Sequence, residues 1–161
     1  MKILICDIDN TVADQMKSLK ILNDSASPES YLEKSYSIDE MINYEVLDNA
    51  LEGIKQFKSN HYKIIWLTAR KDKFAKVTKD WLSQNKFPID DLILVSKISK
   101  KIEVINEINP DLIIDDCNYN QHNLNPLPAT DFISTVKKNH NLLVFKNNWK
   151  WIIENFEQIT N

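Results

Sequence analysis

Polar side chains that can do chemistry follow three short apolar runs of this chain. They are Asp7 and Asp9 after residues 3–6, Thr68 and Arg70 after residues 62–67, and Asp115 and Asp116 after residues 112–114. Four carboxylates gathered in one crevice repel each other unless a cation neutralises them. An all-oxygen ligand set favours a hard ion such as Mg²⁺, which also binds substrate phosphate. The residue types therefore predict a metal-dependent phosphate site, provided that the fold brings them together.

Short β-branched runs of this kind are typical of strands that are buried on both faces of a parallel sheet. In such open sheets, ligands bind beyond the carboxyl ends of the strands. If the three runs are neighbouring parallel strands, the acids, the hydroxyl and the guanidinium converge on one edge. The plainer alternative for Asp7 and Asp9 is a solvated strand end.

Further strands are expected at residues 92–95 and 142–145, and helices at the ranges 48–59, 72–84, 99–108, 131–138 and 149–156. Asp48 is the expected cap of the first of these helices. The alternation of strand and helix predicts an α/β fold with a parallel sheet covered on both faces. Residues 12–47, with a mildly helical start, fit no βα unit and are expected to form a small lid or elaborated loop. A polar loop is expected at residues 118–128.

The length of 161 residues predicts a single domain over residues 1–161, with residues 12–47 as its insert. The net charge is −3, from 20 basic and 23 acidic residues. The chain has no basic stripe, so broad electrostatic capture of nucleic acid is not supported, whereas a nucleotide or a strand end stays open. The single glycine, Gly53, excludes a Walker loop and a dinucleotide fingerprint.

Cys6 and Cys117 form neither a CxxC motif nor a disulfide framework. Cys6 is expected to be a small buried hydrophobe. Cys117 follows the acid pair, where exposure near the site is open to it, and a bystander role is expected. Trp149 and Trp151 are expected in the core. The chain shows no signal-peptide layout and no apolar run of membrane-spanning length, which favours a cytoplasmic protein.

Four motifs in order resemble those of the haloacid dehalogenase (HAD) superfamily. Asp7-Ile8-Asp9-Asn10-Thr11 matches the DxDx[TV] motif, and Leu67-Thr68-Ala69-Arg70 is similar to the second motif. A lysine near Lys100-Lys101 is similar to the third, and Asp115-Asp116 to the fourth. The resemblance covers about residues 1–120 and implies a Rossmann-like HAD sheet with a small or absent cap.

The resemblance implies a division of roles among the acids. Asp7 would attack phosphorus and form an aspartyl-phosphate. Asp9, two residues on and on the same side of the extended chain, would protonate the leaving oxygen and then take a proton from water. Mg²⁺ would be held by Asp7, the backbone carbonyl of Asp9 and Asp116, with Asp115 acting through water or holding the lysine. A shift of one residue in the alignment of this motif would exchange the roles of Asp115 and Asp116.

The polar partners are also assigned by resemblance. Thr11 and Thr68 would contact the phosphoryl group, although Thr68 could equally cap a helix. The motif lysine is expected to be Lys101, with Lys100 and Lys97 as alternatives. Arg70 would either clamp phosphate bidentately or pair with a neighbouring acid.

These features predict a Mg²⁺-dependent phosphomonoester hydrolase that acts on a small phosphorylated substrate. Similarity to polynucleotide 3′-phosphatase domains and 5′(3′)-deoxyribonucleotidases favours nucleotides or nucleic-acid ends. No membrane and no obligate protein partner are inferred. The alternatives are a HAD-type phosphotransferase and a catalytically silent HAD-like binding module.

Overall fold

A five-stranded parallel sheet forms the centre of the computed structural model, which describes residues 1–17, 37–117 and 129–161. The strand order is β3-β2-β1-β4-β5. The strands are β1 (Ile3–Cys6), β2 (Lys63–Thr68), β3 (Asp91–Leu94), β4 (Leu112–Asp115) and β5 (Leu142–Val144). All four strand pairings are parallel. The predicted α/β fold is confirmed, and the three strands that carry the acids and the hydroxyl are adjacent.

Helices cover both faces of this sheet. They are α1 (Ile38–Met41), α2 (Ala50–Ser59), α3 (Ala75–Gln84, preceded by a 3₁₀ turn at Asp72–Phe74), α4 (Ile98–Ile108), α5 (Ala129–Lys137), α6 (Trp149–Glu154) and α7 (Phe156–Thr160). Successive strand residues point to opposite faces. Accordingly, Leu4 and Cys6 join a cluster with α2, α3 and α6, whereas Ile5 joins a second cluster with α4 and α5. None of the helices in these ranges is long and apolar enough to cross a membrane.

Most predicted boundaries differ from the structure by at most three residues, but two predictions were wrong. The cap of α2 is Asn49, not Asp48; Asn49 has a φ of 62° and makes no side-chain capping bond. The predicted helix at residues 149–156 is split into α6 and α7 at Asn155. The mildly helical segment predicted from residue 12 is helical at residues 15–17, beyond which the described residues stop.

The tryptophans of α6 do not share one environment. Trp149 is buried, as predicted, whereas Trp151 is 44% exposed and its placement in the core was wrong. Residues two positions apart on a helix point in different directions, so a single core face cannot bury both.

The two ends of the predicted insert lie side by side. Ala13 forms an antiparallel bridge with Val46, flanked by hydrogen bonds from Asp14 N to Glu45 O (2.8 Å) and from Leu47 N to Val12 O (2.9 Å). Most of the segment between them, residues 18–36, lies outside the described residues, as does the predicted loop at residues 118–128. The insert thus leaves and re-enters the sheet domain at one stem, next to the end of β1.

The single glycine marks the closest approach between two helices. A Cβ built on Gly53 of α2 would overlap the ring of Trp149 in α6. Trp149 in turn donates from Nε1 to the carbonyl of Thr11 (2.6 Å). Gly53 is therefore needed for space.

We expect Gly53→Ala to destabilise the protein. Alanine favours a helix over glycine by about 1 kcal/mol. Overpacking against the buried indole costs typically about 1–3 kcal/mol and should outweigh that gain. Urea unfolding followed by tryptophan fluorescence measures the difference, and the matched control is Lys55→Ala on the exposed side of α2. Equal or higher stability of Gly53→Ala would contradict the packing argument.

Asp90 fixes the start of β2. Its Oδ2 accepts a hydrogen bond from Ile64 N (2.8 Å), and both its oxygens lie 2.6 Å from Lys58 Nζ. Partial burial opposes the charge, but these donors outweigh it and lower the pKa of Asp90 below its ordinary value. The ionised carboxylate therefore stabilises the fold above the usual carboxyl pKa. This stabilisation is lost as the pH falls through the lowered folded-state pKa.

Asp90→Asn should consequently lower the free energy of unfolding near pH 7 by about 1 kcal/mol, a value reduced for solvent screening. The gap to wild type should narrow as the pH falls through the lowered folded-state pKa of Asp90, because the wild-type carboxylate then gains its proton. Denaturant titrations at several pH values provide the measurement. Glu107→Gln, on the exposed side of α4, should follow the wild-type curve. A gap that does not depend on pH would contradict the assignment.

Candidate active site

The carboxyl ends of the three adjacent strands bring the predicted residues to one edge of the sheet. Asp7 directly follows β1, and its N–H donates to Ile114 O (2.9 Å) across the β1–β4 boundary. Thr68 is the last residue of β2, and Asp115 the last of β4. All three side chains lie within residues that are 6% exposed or less. The parallel register is thus what gathers these polar groups in a buried crevice.

A buried lysine joins two of the carboxylates. Lys101 Nζ lies 2.7 Å from Asp7 Oδ1 and 2.7 Å from Asp115 Oδ2, and its side chain is fully buried. Burial opposes the ammonium charge, but the carboxylates of Asp115 and Asp7 outweigh it and raise the pKa of Lys101. The two alternative lysines, Lys97 and Lys100, are exposed. Of the three candidates, the structure places Lys101 in the crevice.

Thr11 ties the β1 loop to the β4 loop. Its hydroxyl donates to Asp7 Oδ2 (3.3 Å) and accepts a hydrogen bond from Asp116 N (3.1 Å). Thr11 is fully buried, and its carbonyl accepts the bond from Trp149. Asn10, with a φ of 56°, provides the sharp turn that points this hydroxyl back towards Asp7.

Arg70 forms a bidentate ion pair with Asp9. Its Nε donates to Asp9 Oδ2 (3.0 Å) and its Nη2 to Asp9 Oδ1 (2.7 Å), while Nη1 donates to the hydroxyl of Thr78 in α3 (2.9 Å). Burial opposes the guanidinium charge, yet Asp9 keeps the pKa of Arg70 above its ordinary value. Of the two roles open for Arg70, the structure shows the pairing with a neighbouring acid.

Thr68 contributes a hydroxyl at the same edge. It is fully buried, and its Oγ1 accepts a hydrogen bond from Arg70 N (3.3 Å). No helix of the described residues begins at Thr68, because the 3₁₀ turn starts only at Asp72. The alternative that Thr68 caps a helix was therefore wrong.

Three carboxylates could hold a cation. One oxygen each of Asp7, Asp115 and Asp116 lies within 4.8 Å of the others. Burial raises the pKa of Asp7 well above its ordinary value; Lys101 lowers it in part, and the neighbouring acids raise it further. Counted at formal charge, the four acids outnumber Lys101 and Arg70 by two among the described residues of this site. The donor set and the charge deficit both fit one hard divalent cation.

Cys117, for which exposure near the site was open, is buried. It is 3% exposed, has a φ of 56°, and donates from its N–H to Asp115 Oδ1 (2.7 Å). Burial and the adjacent Asp115 carboxylate raise the pKa of its thiol. The chain folds Cys117 back onto the acid that precedes it, where its backbone fixes one Asp115 oxygen while Lys101 holds the other.

One residue at the site was missed from the sequence. Thr78 was passed over as a polar position of an amphipathic helix, although its spacing of four from the buried Leu82 places it on the same face. The sequence left open whether the tyrosines of the predicted insert, Tyr31, Tyr36 and Tyr44, reach the site. The ring centroid of Tyr44 lies 5.8 Å from Arg70 Cζ, whereas Tyr31 and Tyr36 lie outside the described residues.

Comparison with known proteins agrees with this geometry. A protein of Oceanobacillus iheyensis named "Putative nucleotidase OB0422" is 32% identical over 90 residues, which are 55% of this chain and 46% of that protein. The chain thus spans about half the length of this curated relative.

Two solved structures share the fold. A HAD-superfamily hydrolase from Ehrlichia chaffeensis matches with a TM-score of 0.57 at 13% identity, covering all of both chains. The Pnkp1/Rnl/Hen1 complex matches with a TM-score of 0.60 at 18% identity, over 89% of this chain and 45% of that one. The parallel sheet and these likenesses show that the chain has the α/β fold of HAD-superfamily hydrolases.

A family model also matches the chain. It is described as "PITM 1-3, LNS2 domain" and matches residues 4–115. The chain belongs to this family, and the matched range extends from β1 to the first acid of the Asp115-Asp116 pair.

Removing the buried ammonium tests the electrostatics of the site. Lys101→Met would leave Asp7 and Asp115 facing each other in the protein interior, and unpairing a buried ion pair costs about 3–5 kcal/mol. We expect a corresponding loss of unfolding free energy in metal-free buffer at neutral pH. Lys100→Met, which removes an exposed lysine paired with Glu103, is the matched control and should stay close to wild type. Equal stability of the two variants would contradict the bridging role of Lys101.

Proposed function

We propose that this chain is a divalent-metal-dependent phosphomonoester hydrolase that uses Asp7 as its nucleophile. The proposal rests above all on the placement of Asp7. Its carboxylate is held by Lys101 on one oxygen and by Thr11 on the other, beside two further acids that could share a cation. A fixed carboxylate next to a cation site is what in-line attack on a phosphate ester requires.

In the first step, a carboxylate oxygen of Asp7 forms a bond to phosphorus while the bond from phosphorus to the ester oxygen breaks. Asp9 gives a proton to the leaving oxygen, so that an alcohol departs. In the second step, water attacks the phosphorus of the aspartyl-phosphate and passes a proton to Asp9. Phosphate leaves and both carboxyl groups return to their starting forms.

The other residues of the site would bind the phosphoryl group and the metal ion. Lys101 and the hydroxyls of Thr11 and Thr68 would contact phosphoryl oxygens, and a fixed ammonium and fixed donors stabilise the charge that develops during transfer. Asp7, Asp116 and the carbonyl of Asp9 would hold the ion, with Asp115 holding Lys101. Mg²⁺ would neutralise charge on the nucleophile and on the phosphoryl oxygens.

The substrate we favour is a nucleotide-type phosphate monoester. The 32% identical relative is named as a nucleotidase, and one structural neighbour belongs to a Pnkp1 complex. We further propose a cytoplasmic location, and that residues 1–161 form one domain with an insert at 12–47. The stem at Ala13 and Val46 supports the insert boundaries.

Replacing the nucleophile should abolish turnover. Asp7→Asn cannot form the aspartyl-phosphate, and it removes one of several repelling charges, so we expect a folded protein with no measurable hydrolysis. Release of inorganic phosphate from p-nitrophenyl phosphate and from a panel of nucleotides provides the assay. Asp80→Asn, on the exposed side of α3, is the matched control. Activity retained in Asp7→Asn would rule out this nucleophile.

EDTA should silence the enzyme, and added Mg²⁺ should restore it. Activity that survives exhaustive chelation would contradict the metal requirement.

Faster phosphate transfer to added alcohols than to water would favour the phosphotransferase alternative. No hydrolysis of any monoester in a nucleotide, sugar-phosphate and 3′-phosphorylated oligonucleotide panel would favour the binding module.

A further inference from the structure

The deepest ion pair outside the metal cluster joins Arg70 to Asp9. Both residues are 6% exposed or less, and the pair uses two separate N–H donors on two separate carboxylate oxygens. An arginine fork bound in this way fixes the plane of the carboxylate as well as its position. Asp9 is thereby restrained in rotation, unlike a carboxylate held by a single bond.

Arg70 is itself held from two further sides. The hydroxyl of Thr78 accepts a hydrogen bond from Nη1 (2.9 Å), and Thr78 is fully buried in α3. The ring of Tyr44 lies 5.8 Å from the guanidinium carbon, and the carbonyl of Tyr44 accepts a bond from Trp81 Nε1 (2.9 Å) in the same helix. The arginine is thus anchored to α3 and to the stem of the insert.

We propose that Arg70 is a positioning residue that acts through Asp9, with Thr78 as its anchor, and that it does not serve as a phosphate clamp. This inference rests on the proposed function, in which Asp9 exchanges a proton with the leaving oxygen and with water. The guanidinium contacts both oxygens of Asp9, so it fixes the orientation of this carboxyl group in the crevice.

The two possible roles of Arg70 predict different kinetics. A phosphate clamp touches the group common to all substrates, so its loss would raise KM and slow every ester alike. In the first step, a positioning residue for the proton donor matters only when the leaving oxygen needs a proton. In the second step, where Asp9 takes a proton from water, its effect is the same for every ester. Phenyl phosphate needs that proton, whereas 2,4-dinitrophenyl phosphate has a leaving group that departs without it.

The test compares KM and the single-turnover rate of phenol release, with enzyme in excess, on these two esters for wild type, Arg70→Met, Arg70→Lys and Thr78→Val. This rate reports the first step alone. We expect Arg70→Met to lose roughly 30-fold more of it on phenyl phosphate than on the dinitrophenyl ester, a part of the 10²–10⁴ that general acid–base catalysis supplies. KM should change little for either ester. Arg70→Lys should recover part of the loss, and Thr78→Val should show the same selectivity to a smaller degree. Lys71→Met, an exposed neighbour, is the control.

A double-mutant cycle completes the test. In an Asp9→Asn background, Arg70→Met should have no further effect on phenyl phosphate, because the residue through which it acts has already been changed. Equal losses of the single-turnover rate on both esters, a raised KM, or additive effects in the cycle would each overturn the inference. If Arg70→Met does not fold, Thr78→Val decides by the same selectivity. A wild-type protein that hydrolyses neither ester would instead refute the proposed function.

Discussion

The ammonium of Lys101, buried between two carboxylates, is the constraint on which the rest of the structure depends. Moving such ions out of water costs several kcal/mol each, and only close partners with good geometry repay that cost. The 2.7 Å contacts to Asp7 and Asp115 require β1 and β4 to be paired in their observed register, with α4 starting over the same edge. A one-residue slip of either strand would turn its acid away from the lysine. The charge cluster and the sheet therefore specify one another.

A second line of contacts reaches the site from the carboxyl-terminal helices. Gly53 lets the ring of Trp149 lie against α2, and Trp149 donates to the carbonyl of Thr11. The hydroxyl of Thr11 then contacts Asp7 and the backbone of Asp116. Packing between α2 and α6 thus helps to position the loop after β1, which contains Thr11. Segments outside the four motifs contribute to the site through the backbone rather than by supplying reactive groups.

The sheet and the site edge could be predicted from the sequence because both follow from strand ends. Three apolar runs, each followed by polar residues, are enough to predict the site edge once the runs are assumed to be neighbouring parallel strands. What could not be predicted depends on contacts between distant elements. Asn49 in a left-handed conformation replaces Asp48 as cap, and Cys117 turns back onto Asp115. Seven described residues adopt a positive φ, and none of them is a glycine. The turns of this chain therefore lack the glycines by which turns are usually recognised in a sequence. Whether Arg70 binds phosphate or pairs with Asp9 could not be predicted, because this depends on the position of α3, which no local sequence pattern gives.

Lys101 and Arg70, the two cationic side chains that are buried among the described residues, pair with different acids. Lys101 serves Asp7 and Asp115, whereas Arg70 serves Asp9. The carboxylates that approach within 4.8 Å are Asp7, Asp115 and Asp116, so the side chain of Asp9 is drawn towards α3 while the other three acids stay close to one another. If a divalent ion took all four carboxylates, none would be left to carry a proton. In the proposed function, the pairing of Asp9 with Arg70 would keep the Asp9 side chain from becoming a fourth ligand, and it would leave the negative charge of the other three acids for a cation.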